Sequence, residues 1–119
     1  MTYTLDVVSE RGMPLAVACR LDLAGRDPTC AGASMLLQVR RARGDAAVLL
    51  EMTSAAGELA ATATGDGAYA IALTKSAAAM SALAAGTYVY GLMLSGAGAP
   101  DEIIAEGAWT HAPLLVQAD

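Results

Sequence analysis

The stretch Leu83-Ala-Ala-Gly86-Thr-Tyr88-Val-Tyr90-Gly-Leu92-Met-Leu94 decides how this chain is read. Tyr88, Tyr90, Leu92 and Leu94 fall on one face, and Val89, Gly91 and Met93 on the other. A period of two in aromatic and aliphatic residues predicts a sheet strand. Just before it the period changes. Thr74-Lys-Ser76 leads into residues 77–83, which suit one or two turns of helix. Thr74 or Ser76 can cap that helix and Gly86 can end it.

The same period of two recurs outward in both directions. Downstream, 101–109 predicts a strand with Ile103, Ala105, Gly107 and Trp109 on one face and Ile104, Glu106 and Ala108 on the other. His111 lies just beyond it, and 114–116 closes the chain as a last strand. Upstream, 68–74 turns Tyr69, Ile71 and Leu73 one way, after a weaker strand at 58–64 and the turn Gly65-Asp66-Gly67. Residues 34–41 and 46–53 read as a hairpin around Arg43-Gly44-Asp45. Met35, Leu37 and Val39 share a face in its first arm, and Val48, Leu50 and Met52 in its second. Leu15, Val17, Cys19 and Leu21 alternate through 14–23. Tyr3, Leu5 and Val7 form a first short strand that ends in the turn Ser9-Glu10-Arg11-Gly12.

About eight or nine strands with frequent turns and one short helix predict an all-β chain, a single β-sandwich domain over 1–119, Ig-like or jelly-roll-like. The 119 residues leave room for one core. The chain is 55% hydrophobic and 16% charged, which excludes disorder. That apolar balance fits a GC-rich genome that favours Ala and Gly codons, and equally a surface partly covered by partner chains. The net charge of −5 points away from nucleic acid. The uncharged run 76–100 changes period midway, so it reads as helix plus strand rather than a membrane span. The opening residues have no basic region followed by an apolar one, so no secretion signal is expected. Cys19 and Cys30 are then expected as free thiols.

Chemistry-bearing patterns are sparse. His111 has no second histidine to work with, and it reads as structural or surface. Asp101, Glu102 and Glu106 are poorly spaced for a cation. No nucleophile motif occurs. The expectation is therefore no enzyme, no cofactor and no metal. The one basic cluster, Arg40, Arg41 and Arg43, reads as a solvated turn at a strand end or as a contact with phosphate or an acidic partner, and it is the candidate for polar contacts with a protein partner.

Several of these pieces together resemble a small β-sandwich module of tailed bacteriophages and prophages. It is similar to the N-terminal domain of phage baseplate upper proteins and to tail-fibre modules. The resemblance rests on Gln38-Val39-Arg40 with its hairpin into Ala47-Val48-Leu49-Leu50, on Tyr69-Ala-Ile71-Ala-Leu73, on the 83–92 stretch, and on Ile103-Ile104-Ala-Glu106-Gly107. It covers roughly residues 34–116. It implies a virion structural protein, assembled in the host cytoplasm. Such a part would be a tail, baseplate or fibre-attachment adaptor that contacts other virion proteins in a homo-oligomeric or symmetric assembly. The alternatives are a capsid decoration or head-fibre protein, and a carbohydrate- or ligand-binding sandwich.

Overall fold

The computed structural model describes residues 3–23, 27–29, 32–96 and 100–113. Among them lie β1 (Tyr3–Thr4), β2 (Val7–Glu10), β3 (Leu15–Asp22), β4 (Ser34–Arg40) and β5 (Leu50–Thr53). Then come β6 (Leu59–Ala63), β7 (Ala68–Lys75), α1 (Ala77–Ala82), β8 (Gly86–Ser95) and β9 (Glu102–Ala112). One sheet has the order β1-β9-β8-β4-β5, with β2 also on β9. The other has the order β3-β7-β6. Only β1 and β2 pair in parallel, both with β9; every other pairing is antiparallel.

The two sheets pack face to face over one core, because each strand carries its large apolar residues on alternate positions. β8 supplies Tyr88, Tyr90, Leu92 and Leu94 as expected, β4 supplies Met35, Leu37 and Val39, and β3 and β7 bring Leu15, Leu21, Ile71 and Leu73 from the opposite sheet. Gly65 and Gly67 both adopt positive φ in the β6–β7 turn, which only glycine reaches without steric cost. Ser76 caps α1, its hydroxyl accepting from the Ala79 N–H at 3.2 Å.

Five local expectations are corrected. The first strand does not end at Ser9: β2 runs through Glu10, and only Arg11-Gly12 turns. The second arm of the hairpin is cut to β5, and Val48 and Leu49 lie exposed in its loop. Gly86 does not end the helix; α1 stops at Leu83 in extended backbone, and Gly86 opens β8. His111 is not beyond its strand, since β9 reaches Ala112. Ile103 faces out, because a bulge between Leu92 and Met93 shifts the register so that Leu92 opposes Ala105 while Met93 opposes Ile103. The extra residue, Ile104, enters the core beside Ala105. The strand expected at 114–116 lies outside the described residues.

At the junction of β1 and β2 the chain presses directly onto β9. The Leu5 N–H donates to the Glu106 carbonyl at 2.9 Å. The Leu5 carbonyl turns instead to the Tyr90 hydroxyl, which donates to it at 2.7 Å. The Ala108 N–H is met by Asp6 Oδ1 at 3.2 Å. Gly107 makes this approach possible: a Cβ there would fall well inside contact distance of the Leu5 carbonyl. Gly91, on the neighbouring strand, has open space where its Cβ would be. Gly107→Ala should therefore destabilise the fold by about 1–3 kcal/mol, the usual cost of overpacking. Gly91→Ala should cost nothing measurable. Urea unfolding of the two variants checks the contrast.

Candidate functional site

The three arginines of the basic cluster part company in the structure. Arg40 lies at the end of β4, where its guanidinium donates to Gln38 Oε1 at 2.8 Å and to the Asp45 carbonyl at 2.6 Å. Arg43, in the β4–β5 loop, reaches over the sheet to Glu106 on β9, with Nη1 and Oε2 at 2.9 Å. Arg41 sits apart, its guanidinium carbon 5.8 Å from the centre of the Tyr88 ring. Arg40 and Arg43 line an open concavity of about 460 Å³ on the outer face of the larger sheet, together with Gln38, Gly91, Glu106 and Gly107. Gly91, which has open space where a Cβ would stand, leaves room over the sheet there. The site offers guanidinium donors, one carboxylate and an apolar floor, which suits a polar contact with a protein surface.

A second concavity, of about 180 Å³, opens between the sheets where β2 and β3 form their edges. Its lining is mostly apolar: Leu5, Val7, Val8, Val17, Ala18 and Cys19 are among its walls. Val8 and Val17 are 64% and 36% exposed beside it. Burial pushes the Cys19 thiol up from its ordinary pKa, which favours the protonated form. Cys30 lies outside the described residues. Among the described residues no cluster of His, Cys, Asp or Glu could hold a metal ion. No helix among them is long and apolar enough to cross a membrane.

One polar constellation is invisible to motif reading. His111 is buried at 1% exposure and Ser9 at 6%. The Ser9 hydroxyl oxygen lies 2.8 Å from His111 Nδ1, and the Trp109 N–H donates to the same oxygen at 2.8 Å. His111 Nε2 lies 2.8 Å from the Met80 carbonyl. A carbonyl can only accept, so Nε2 must carry the proton. In that tautomer Nδ1 accepts the single proton of the Ser9 hydroxyl. Every buried polar atom of the set thus has at least one partner. A serine beside a histidine suggests a nucleophile and its base, but this hydroxyl already receives the indole N–H and lines neither concavity. The set is structural, tying β2, β9 and α1 together. The sequence did carry its signal: His111 follows Trp109 by two, on the same face of a strand that had not yet ended.

Tyr88 lies at the start of β8, just after the helical corner, and its hydroxyl donates back to the Ala84 carbonyl at 2.6 Å. Two residues on, Tyr90 stands where immunoglobulin domains carry their second cysteine, while Cys19 on β3 is free. Burial first, and then the charges of Cys19 and Asp6, push the Tyr90 hydroxyl up to about 12. The corner tyrosine and the two strand orders define an immunoglobulin-type β-sandwich, with an extra β5 strand beside β4. Known proteins add little to this. No protein-family model and no curated protein matches the chain. Among solved structures it is similar to a chain of the ZIG-8–RIG-5 IG1–IG1 heterodimer. That match covers 93% of this chain and 82% of the other, at 11% identity and a TM-score of 0.33. The fold assignment therefore rests on strand order and on Tyr88.

Ser9→Ala should leave the Trp109 N–H and His111 Nδ1 without partners and destabilise the fold by about 1–3 kcal/mol. The urea midpoint should fall with the slope unchanged. Nitrogen-15 NMR of the wild-type ring should show the Nε2–H tautomer alone.

Proposed function

We propose that this chain is a non-enzymatic structural module of a tailed-bacteriophage virion, an adaptor that binds other structural proteins in the tail, baseplate or fibre attachment. One observation carries the protein-binding part. The chain exposes apolar side chains at the sheet edges and their loops: Val8, Met13 and Val17 around β2 and β3, and Val48 and Leu49 beside β5. Neither concavity gathers groups suited to bond-breaking chemistry. Exposed apolar residues at strand edges suit lasting protein contacts. The resemblance of residues 34–116 to phage modules supplies the setting. A place as a capsid decoration or head fibre is the same reading at another position on the particle.

Carbohydrate binding fits less well. It calls for exposed aromatic rings, yet Trp109, Tyr88 and Tyr90 are buried, and Tyr3 and Tyr69 are half-buried against the core.

Mass spectrometry of purified particles tests the proposal, and the chain should be present as a structural component. Particles that lack it would overturn the virion reading. Replacing Arg40, Arg41 and Arg43 with Ala should lower incorporation while the domain stays folded. The exposed Arg43–Glu106 pair contributes about 1 kcal/mol or less to stability. Incorporation at the wild-type level would remove the arginines from the interface.

A further inference from the structure

We propose that two copies of this chain associate through β3, pairing antiparallel about a two-fold axis at Ala18 and merging their smaller sheets into one. This goes beyond the proposed function and stands whether or not the chain is a virion part.

The argument starts from which way the main chain of β3 points. The Thr64 N–H donates to the Ala68 carbonyl at 3.1 Å, and the Thr74 N–H donates to the Glu58 carbonyl at 2.9 Å. The first bond turns the main-chain groups of Ala68 toward β6, and the second places Thr74 on the same side. Residues 68, 70, 72 and 74 of β7 all follow, since the direction alternates along a strand. The β3 residues opposite them are Asp22, Arg20, Ala18 and Ala16. Their N–H and C=O groups therefore point away from β7, toward the free edge. Asp22 confirms this, since its N–H donates to the Tyr3 hydroxyl at 3.1 Å. That leaves Ala16, Ala18 and Arg20 presenting main-chain donors and acceptors at an edge where no other described strand pairs.

The spacing of these three residues selects the occupant. With a two-fold axis at Ala18, Ala18 meets Ala18 of the second copy, and Ala16 meets Arg20 in both directions. All three are hydrogen-bonding positions, so each free group on one copy finds its complement on the other. An axis at Val17 would set Arg20 against Pro14, which has no N–H. An axis at Cys19 would set Ala16 against Asp22, whose N–H is already taken. An isologous contact must be self-complementary, and this edge is so in one register.

Charge and apolar surface agree with that register. Residues 16–19 carry no charge, so Arg20 is the one charged residue in the paired stretch 16–20. Arg20 is already held by Asp66. The edge lacks the lysine, proline or bulge that usually blocks such pairing. Val17 would lie against Cys19 of the second copy, covering both. The other edge of the same sheet, β6, is shorter and shows no large exposed apolar side chain. Val8, Met13 and Val17 gather instead around β3.

Light scattering on the eluting chain should give twice the chain mass. Ala18→Pro removes the donor at the axis, and edge strands tolerate proline where the N–H faces out. It should halve that mass and leave the melting temperature of the monomer unchanged. In a Cys30→Ser background, Val17→Cys should cross-link rapidly to Cys19 of the second copy under mild oxidation. Opposed residues at such positions lie about 4.5 Å apart between Cα atoms, within disulfide range. Ala16→Cys, which points to the other face, should not cross-link. A wild-type monomer at micromolar concentrations would overturn the proposal. So would a dimer untouched by Ala18→Pro, or equal cross-linking by the two cysteine variants. Should Ala18→Pro fail to fold, the cross-linking contrast decides. A monomer would leave the virion reading to its own test.

Discussion

The single proton of the Ser9 hydroxyl sets the N-terminal edge of this molecule. It can go to one acceptor, and with the Trp109 N–H filling a lone pair it goes to His111. His111 in turn holds the Met80 carbonyl of α1. That short chain of bonds fixes β2 against β9 and locks the helical corner over both. Strands as short as β1 and β2 have little stability of their own. They stay in place because they are clamped at intervals: by the Tyr90 hydroxyl and the close approach at Gly107, and again at Ser9. With the N-terminal segment committed to β9, nothing among the described strands covers the outer edge of β3. The free edge and the groove beside it follow from the same clamp.

The way the two sheets are held together departs from the disulfide found in antibody domains. Cys19 lies on β3 with a free thiol, and Tyr90 takes the place of its partner. Tyr90 packs edge-on against Trp109, with ring centres 5.7 Å apart and planes at 80°. Such a pair adds about 0.5–1.5 kcal/mol beyond its buried area, against about 2–4 kcal/mol for a typical disulfide. The hydroxyl compensates by bonding the Leu5 carbonyl, so one side chain links the core to the N-terminal segment. At Gly107 the approach is so close that a single methyl group would obstruct it.

Much of this was legible in the residues. The inward face of β8, the β4 face of Met35, Leu37 and Val39, the turn at Gly65–Gly67 and the cap at Ser76 all follow from local period and local chemistry. What was not legible depends on distant partners. The bulge that exposes Ile103 and buries Ile104 comes from matching β8 to β9, and no pattern within 101–109 encodes it. Val48 and Leu49 keep a strand-like period, yet β5 begins only at Leu50. Ser9 looked like a turn residue because its partners, Trp109 and His111, lie about a hundred positions away. The Arg40–Arg43 cluster was visible, but its division was not: Arg43 answers to Glu106, and Arg41 to Tyr88.

Amide hydrogen exchange resolved residue by residue tests the clamped N-terminal edge most directly. The Leu5 and Arg11 amides donate to the carbonyls of Glu106 and Ala112, and the parallel register places those of Val7 and Ser9 in the same row. These four should be protected about as strongly as the amides of β8 that pair with β9, while those of Val8 and Glu10 exchange fast. If Leu5, Val7, Ser9 and Arg11 all exchange at loop rates, β1 and β2 are not part of the sheet and the account fails.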